Sequence, residues 1–311
     1  MISNKNTATS LDLNIGLRDD VIKSIKTFIF DADGVLFNTT KPVEGAAETL
    51  KSLRALGKNI RFVTNNSTKT RQQFLDKLVG MGFECYIDEV YGSSYGAGYY
   101  LKSIKYDKKV FIIGEQGLEK ELLSQDIKIV KYEDTVNFTA IKPGIENVEH
   151  IEIDNEIGAV VMGMDTAISY QKLVYGHKVL VENKDTMFIA TNTDATYPVK
   201  NNKTLIGSGS LLAILINSTG RQPVVIGKPE PLLLDLIIER DQLKREETCM
   251  IGDRLDTDIL FGIRGNIKTM LVYTGIEKEQ SILDRKKNAE SDSNLYLPNY
   301  TISSIGNLFQ K

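Results

Sequence analysis

Short apolar runs recur along the whole chain, and most are separated by longer segments in which apolar positions have helical spacing. The runs, each with the number near which it begins, are TFIF (27), IRFVT (60), VFIIG (110), GAVVMGMD (158), MFIAT (187), PVVIG (223), TCMIG (248) and TMLVY (269). The helical patterns between them include GAAETLKSLRALG, TRQQFLDKLVGMG, SLLAILINSTG and PLLLDLIIER. Such alternation is typical of parallel sheets covered by helices. The pattern therefore predicts an α/β protein with a Rossmann-like core and a mostly parallel sheet.

Polar residues stand where several of these predicted strands end. They are Asp31, Thr64 with Asn65 and Asn66, Gly227 with Lys228, and Asp253. In open parallel sheets, ligands bind outside the carboxyl ends of the strands. The sequence therefore predicts one site that is shared by these strand ends.

The spacing of the strand ends predicts where an additional domain is inserted. Asp33 and Thr64 are separated by 30 residues, whereas Thr64 and Lys228 are separated by 163. Only the longer gap can hold a domain, and it contains several further strand-like runs. We expect a polar N-terminal extension at 1–22, a core in two parts at 23–94 and 206–311, and an α/β cap domain at 95–205.

Two aspartates follow the first of these strands directly. Asp31 and Asp33 are two residues apart and point to the same face of a strand, while Ala32 points away. Gly34 then allows a sharp turn. Two carboxylates in one small volume repel each other unless a cation joins them. This arrangement predicts a Mg²⁺ site with an aspartate free to attack an electrophile.

Thr64 and Lys228 are candidates for binding an anion. A hydroxyl and free amides at a helix start suit phosphate oxygens, although Asn66 or Ser67 could instead be an ordinary helix cap. The proline after Lys228 restricts the lysine to an extended conformation, so its charge has a fixed direction. We interpret Lys228 as a cation aimed at the strand ends rather than a solvated surface lysine.

The segment GDRLDTD adds three more carboxylates after a buried strand. Asp253, Asp256 and Asp258 lie within six residues of each other. Oxygen ligands at a turn suit Mg²⁺, whereas acids before an apolar helix could simply be caps. We assign the capping role to Asp256 and functional roles to Asp253 and Asp258.

Composition excludes several classes of function. The chain has 311 residues, 41% of them hydrophobic, and 38 basic residues against 41 acidic ones give a net charge of -3. Nothing in this balance favours nucleic acid or an anionic membrane as a partner. The two cysteines, with Cys249 in an apolar run, predict reduced thiols and a cytoplasmic setting. No signal peptide or membrane span is predicted.

The four polar segments together resemble the haloacid dehalogenase superfamily of phosphohydrolases. DADGV is similar to its first motif, VTNNS to its second, GKP to its third and GDRLDTD to its fourth, in that order. MGMDTAISYQKL, FIATNTDATYP and IGKPEP extend the resemblance to the branch that contains p-nitrophenylphosphatases, phosphoglycolate phosphatases, pyridoxal phosphate phosphatase and a bacterial nucleotidase. The similarity covers the chain from about residue 24 to its last residue.

The resemblance implies a role for each of the main site residues. Asp31 would be the nucleophile that forms an aspartyl-phosphate, and Asp33 the general acid and base. Thr64 and Lys228 would hold the transferring phosphoryl group. Mg²⁺ would be bound by Asp31, by the backbone carbonyl of Asp33 and by Asp253.

The remaining implied roles are supporting ones. Asp258 would orient bound water or Lys228, and the backbone groups of Gly34 and Asn65 would complete the phosphate site, with support from Asn66. In the cap, Asn192 and Asp194 are the candidates for contacting substrate, although relatives commonly have proline or arginine where Thr193 stands.

The resemblance also implies a substrate class. A cap of the second type (C2) closes over small or medium phosphorylated metabolites and often forms a homodimer. We expect 2-phosphoglycolate, with pyridoxal 5′-phosphate or nucleoside monophosphates as the nearest alternatives. A phosphomutase is disfavoured because sugar mutases carry the cap between the first two motifs. Asp33 disfavours a dehalogenase, and the full set of site residues disfavours a non-catalytic phosphate-binding or metal-binding module.

Overall fold

The computed structural model describes residues 11–12, 15–135, 144–199, 203–287 and 297–310. The chain forms two compact units, and each is made of more than one segment. The first unit comprises Met1–Thr64, Leu75–Val90 and Lys228–Lys311, and the second comprises Asn65–Phe74 and Tyr91–Gly227. Within the described residues, no helix is both long and apolar enough to cross a membrane.

The first unit is built on a seven-stranded sheet. Its strands, in spatial order, are Leu11–Asp12, Tyr300–Ile302, Lys268–Val272, Thr248–Gly252, Thr27–Phe30, Asn59–Thr64 and Val90–Gly92. The pairings from the first of these strands to the sixth are parallel. The two central strands, Thr248–Gly252 and Thr27–Phe30, are buried at every position, as continuous apolar runs in a parallel sheet should be.

Helices alternate with the strands of the first unit. They are Ile15–Ser24, Ala46–Ala55, Arg71–Gly80 (from Leu75 onward), Leu232–Asp241, Leu260–Arg264 and Glu279–Lys287, with a π-helical turn at Leu255–Ile259 and 3₁₀ turns at Ile87–Glu89, Arg245–Glu247 and Ile305–Asn307. A small antiparallel pair, Phe37–Asn38 with Lys41–Pro42, follows the first central strand. The predicted α/β class is therefore confirmed.

Part of the predicted N-terminal extension is regular structure. The helix that starts at Ile15 buries Val21, and Arg18 donates to the backbone carbonyls of Asn307 at 2.9 Å and Gln310 at 2.8 Å. Residues 1–10 and 13–14 lie outside the described residues. The helix thus ties the N-terminal region to the C-terminal segment of the same unit.

The second unit has its own sheet and its own core. Five parallel strands lie in the order Val224–Val225, Met187–Ala190, Ile157–Met162, Lys109–Ile113 and Ile129–Val130. The helices are Ser93–Ser103, Gln116–Leu123, Tyr170–Glu182 and Ser208–Thr219, with 3₁₀ turns at Tyr132–Asp134 and Ile145–Asn147. An antiparallel hairpin joins Thr196–Val199 to Lys203–Ile206. The rings of Phe111 and Tyr175, with centroids 4.6 Å apart, lie in this core.

The second unit extends beyond the range expected for the cap, 95–205. Leu212 and Leu215 are buried in its core, and Val224–Val225 pairs in parallel with Ile189 and Ala190. The apolar pattern of residues 206–227 correctly indicates a helix and a strand. It does not indicate which sheet the strand joins, because a short apolar strand is compatible with either.

Candidate active site

Lys228 and two aspartates form the centre of a charged cluster in the first unit. The Lys228 ammonium donates to Asp31 Oδ1 at 2.5 Å and to Asp258 Oδ1 at 2.7 Å. It also donates to the backbone carbonyl of Val63 at 3.3 Å. The lysine side chain is 3% exposed, so its charge is removed from water and balanced by these carboxylates. The Lys228–Pro229 peptide bond is cis.

Asp253 and Asp258 are held by backbone amides. Asp258 Oδ2 accepts from the N–H groups of Asp253 at 3.2 Å and Arg254 at 3.1 Å, where the chain leaves its strand and enters the π-helical turn. Asp253 Oδ2 accepts from the N–H of Ile276 at 2.8 Å. A Cβ at Gly252 would lie 2.1 Å from Asp258 Cβ, so only glycine fits there. The backbone therefore fixes the direction of both carboxylates.

The cluster carries more negative charge than Lys228 neutralises. Asp31, Asp253 and Asp258 can each bring one carboxylate oxygen within 4.8 Å of the others. Burial raises the pKa of Asp31 well above its usual range, although Lys228 opposes this. Burial and then the charge of Asp258 raise the pKa of Asp253 to about 7. Burial alone would lower the pKa of Lys228, but the carboxylates raise it above its usual value.

This donor set fits a divalent cation. Three hard oxygen donors from separate side chains are the kind of partial ligand set that Mg²⁺ takes in proteins, and a cation would favour ionised carboxylates. The predicted metal residues Asp31 and Asp253 are together here. The third predicted ligand is the backbone carbonyl of Asp33, whose carboxylate is not among the three grouped carboxylates of the described residues. Asp258 adds a carboxylate to the predicted pair.

Asp33 lies at the base of the small hairpin that follows its strand. Its Oδ1 accepts from the N–H of Thr39 at 3.2 Å, and its backbone bridges to Phe37. Burial raises the pKa of Asp33, while the Thr39 N–H and then the charge of Lys77 lower it. A raised pKa suits a group that must hold a proton before it donates one.

Only glycine fits at position 34, because of the backbone conformation there and the atoms close to it. Its φ is +83°, and a Cβ there would lie 2.4 Å from Asp253 Oδ2. The Thr274 hydroxyl donates to the Gly34 carbonyl at 2.5 Å. A Cβ on Gly275 would lie 2.0 Å from the same oxygen of Asp253. Two glycines thus let the backbone approach the cluster, which a side chain at either position would block.

Thr64 is the last residue of the strand Asn59–Thr64, which pairs with Thr27–Phe30. The sheet therefore brings the predicted Thr64 and Asp31 to the ends of neighbouring strands in the first unit, as the sequence indicates. Val63, beside Thr64, supplies the carbonyl that Lys228 contacts.

The predicted residues Asn65, Asn66, Asn192 and Asp194 belong to the second unit. Asn65 Nδ2 donates to Asp194 Oδ2 at 3.0 Å, and Asn192 Nδ2 donates to the Asn65 carbonyl at 2.8 Å. Asn192 Oδ1 accepts from the Ser208 hydroxyl at 2.5 Å. Within the second unit these side chains therefore hold the segment FIATNTDATYP to Asn65 in the second motif, VTNNS.

Asn66 does not cap the next helix, a role that the sequence left open for it or for Ser67. Thr70 caps the helix Arg71–Gly80, because its hydroxyl accepts from the N–H of Gln73 at 3.1 Å and its own N–H donates to Gln73 Oε1 at 3.0 Å.

Asn66 instead forms a local turn. Its Oδ1 accepts from the N–H of Thr68 at 2.9 Å and from the Thr68 hydroxyl at 2.8 Å. Its Nδ2 donates to the Tyr197 hydroxyl at 3.4 Å.

Two features of the site are not predicted from the sequence. The turn at Gly275 and Ile276, which contacts Asp253, follows the predicted strand TMLVY, and a polar or glycine-containing end of that strand is the signal that indicates it. Lys77 influences Asp33 electrostatically from a distant helix, and its sequence surroundings contain no signal for this.

The comparisons with known proteins agree with this geometry. The model of the haloacid dehalogenase-like hydrolase family matches residues 28–128, and a model of HAD-hydrolase-like proteins matches 225–299. Phosphoglycolate phosphatase 1A of Arabidopsis thaliana, a chloroplastic protein, is 40% identical over 92% of this chain and 77% of its own length. The 4-nitrophenylphosphatase of Schizosaccharomyces pombe is 38% identical over 93% of this chain and 95% of its own.

A solved structure shows the same fold. The crystal structure of a 4-nitrophenylphosphatase from Thermotoga maritima superimposes with a TM-score of 0.76 at 28% identity, covering 93% of this chain and 97% of that one. The resemblance inferred from the motifs is thus confirmed, as is the prediction of an enzyme of the phosphoric monoester hydrolase type. The chain belongs to the haloacid dehalogenase-like hydrolase family, in the branch that contains these phosphatases.

Proposed function

We propose that this phosphatase is a Mg²⁺-dependent phosphomonoester hydrolase that works through an aspartyl-phosphate on Asp31. The observation that supports this most strongly is the contact of Asp31 with Lys228, beside Asp253 and Asp258. A nucleophilic carboxylate must be ionised, yet burial raises the pKa of Asp31 despite Lys228. A divalent cation held by Asp31, the Asp33 carbonyl and Asp253 would lower that pKa and neutralise the phosphate oxygens.

The chain's own residues then divide the reaction into two steps. Asp31 attacks phosphorus while the ester oxygen leaves and takes a proton from Asp33. Water, deprotonated by Asp33, attacks the phosphorus of the aspartyl-phosphate, and Asp31 is released together with inorganic phosphate. Lys228 and Thr64 hold the phosphoryl oxygens during both transfers, and the backbone groups of Gly34 and Asn65 complete the phosphate site.

The proposed substrate is 2-phosphoglycolate. Support comes from the name of the Arabidopsis relative, and the name of the yeast relative supports p-nitrophenyl phosphate as a surrogate. Pyridoxal 5′-phosphate and nucleoside monophosphates are the alternatives. We further propose that Asn192 and Asp194 influence substrate choice from the second unit, that this unit can form a homodimer, and that the compartment is cytoplasmic.

The test is phosphate release from a panel of esters by the purified protein, with Mg²⁺ and with EDTA. The expected result is Mg²⁺-dependent release from p-nitrophenyl phosphate, and the highest kcat/KM in the metabolite panel for 2-phosphoglycolate. Asp31→Asn should reduce kcat by at least ~10³-fold, because the nucleophile is lost.

Asp256→Asn is the matched control. Asp256 pairs with Arg254 at 2.8 Å and is not in the carboxylate cluster, so its kcat should stay within about twofold of the wild type. If the wild-type protein releases no phosphate from any ester of the panel in the presence of Mg²⁺, the proposed activity is refuted. Full activity of Asp31→Asn would refute the aspartyl-phosphate mechanism, and a higher kcat/KM for another ester would refute the substrate.

A further inference from the structure

We propose that Lys77 is a positioning residue for the reaction: it holds the hairpin that fixes the Asp33 carboxylate, through contact of its ammonium with the ring of Phe37. The inference rests on the proposed function, because it concerns the proton that Asp33 delivers. Lys77 lies on the helix Arg71–Gly80, far in sequence from the hairpin Phe37–Asn38 and Lys41–Pro42.

The first observation is the contact itself. Lys77 Nζ lies 3.8 Å from the centroid of the Phe37 ring, within the distance at which a cation is attracted to an aromatic face. Among the described residues, no hydrogen bond or ion pair involves this ammonium. Burial lowers the pKa of Lys77, which shows that its charge is partly removed from water, and Asp33 raises it in part. The aromatic ring is therefore a main partner of the charge.

The second observation is that Phe37 and Asp33 belong to one small closed loop. The two residues bridge through their backbones, and the Gly34 N–H donates to the Phe37 carbonyl at 2.8 Å. Phe37 is 1% exposed, so the loop is anchored by a buried ring on which Lys77 sits. A displacement of Phe37 would be transmitted to Asp33 through the three residues of tightly turned chain between them.

The third observation is backbone strain at the tip of the same hairpin. Thr39 has a φ of +60°, a left-handed conformation that a β-branched residue rarely adopts. Its N–H is the donor that the Asp33 carboxylate accepts, at 3.2 Å. Such a conformation persists only where its surroundings enforce it. The Lys77–Phe37 contact is one of the restraints that keep the Thr39 N–H directed at Asp33.

The loss of Lys77 should affect mainly one step, the protonation of the leaving oxygen. If Lys77 positions Asp33, its loss should slow transfer to Asp31 most when the leaving oxygen needs a proton. Phenolate is more basic than p-nitrophenolate, so phenyl phosphate depends more on Asp33 than p-nitrophenyl phosphate does, although the two esters have nearly the same shape. Because kcat/KM reports the steps up to the first irreversible one, the ratio of the two kcat/KM values isolates leaving-group protonation.

The experiment compares Lys77→Met, Lys77→Arg, Phe37→Leu and the double variant Lys77→Met with Phe37→Leu. Lys77→Met keeps the length of the side chain and removes the charge. It should lower kcat/KM about tenfold for phenyl phosphate and about threefold or less for p-nitrophenyl phosphate. Lys77→Arg keeps a cation over the ring and should restore most of the loss. The double variant should be no worse than either single variant, because both break one contact.

Lys51→Met is the matched control, since Lys51 is an exposed lysine on the helix Ala46–Ala55 of the same unit. It should leave both kcat/KM values unchanged. Four outcomes would each overturn the positioning role. Two concern Lys77→Met: no loss of kcat/KM, or an equal loss for the two esters. The others are a Lys77→Arg variant that does not recover activity, and losses that multiply in the double variant. An inactive wild type would instead overturn the proposed function, and the inference would fall with it.

Discussion

The carboxylate cluster of the first unit and the amide network of the second contain similar polar side chains, but they differ in how their charges and hydrogen bonds are satisfied. In the cluster, Lys228 faces three carboxylates, and the pKa values of Asp31 and Asp253 are raised. In the network, Asn65 donates to the Asp194 carboxylate, and Asn192 donates to the Asn65 carbonyl.

The difference suggests that the carboxylate cluster serves the reaction and that the amide network stabilises the second unit. A buried cluster with excess charge of one sign is costly unless protonation or a cation compensates it, which makes this cluster a candidate for cation binding. The hydrogen bonds of the network lie between residues of the second unit, so they stabilise that unit whether or not substrate binds. Three predictions test this distinction, beginning with the largest expected effect.

The largest effect is expected from removing one buried cation in each unit. Lys228→Met removes the cation from the carboxylate cluster. Lys172→Met removes the cation that lies 3.2 Å from Asp165 in the second unit, where Asp165 is 3% exposed. Breaking a buried ion pair costs about 3–5 kcal/mol, so urea unfolding should show a large loss of stability in both variants. Added Mg²⁺ should recover stability in Lys228→Met and not in Lys172→Met.

The recovery is the decisive part of that measurement. Mg²⁺ replaces the missing charge best where three carboxylates converge, as at Asp31, Asp253 and Asp258. Lys172 pairs with two carboxylates, those of Glu133 and Asp165. Equal stabilisation of both variants by Mg²⁺, or of neither, would contradict the distinction between the two regions.

A similar or smaller effect is expected from pH. The pKa of Asp253 is raised to about 7 in the folded protein without metal, above its value in an unfolded chain. Its contribution to stability is therefore complete below about pH 4 and is lost as pH rises through about 7, on the order of 4 kcal/mol for a rise of about three in the pKa. Unfolding in EDTA, measured from about pH 4 to about pH 8, should show this loss, and Mg²⁺ should suppress it at high pH.

Asp253→Asn supplies the control for the pH measurement. The amide does not titrate, so this variant should lose less stability than the wild type across the same range in EDTA. An identical pH dependence in the two proteins would show that another group is responsible.

The smallest effect is expected in the second unit. Asp194→Asn should weaken the 3.0 Å hydrogen bond from Asn65, with a loss of about 1 kcal/mol in urea unfolding. Because Asp194 is proposed to influence substrate choice rather than the transfer of phosphate, kcat for p-nitrophenyl phosphate should stay within about twofold. A fall of tenfold or more in kcat would place Asp194 in the chemistry and remove the contrast between the two regions.

The sequence was most informative where one short segment supplies several features of the site. Asp31, Asp33 and Gly34 are adjacent, and strand periodicity with turn chemistry was enough to predict a crowded acidic site. Asp253 and Asp258 were identified for the same reason. Lys228 required one more step, since the direction of a lysine depends on the chain around it, and its contacts with Asp31 and Asp258 agree with the prediction.

The sequence was less informative where residues act across long separations. Three features depend on which strands and helices become neighbours. They are the position of Asp258 beside Asp31 and Asp253, the close approach of Gly275 to Asp253, and the contact between Lys77 and Phe37. For the same reason, residues 206–227 were assigned to the first unit, although their helix and strand pack in the second. The roles assigned to individual site residues stay predictions until the variants are measured.

The amino-acid sequence by itself determined the alternation of strands and helices, the family and the local pattern of acids at strand ends, because each depends on residues that are close along the chain. The tertiary structure decided which carboxylates share Lys228, which unit each segment joins and which distant lysine reaches the hairpin of Asp33. These outcomes depend on packing between distant segments, and burial and Coulomb interactions act through space rather than along the chain.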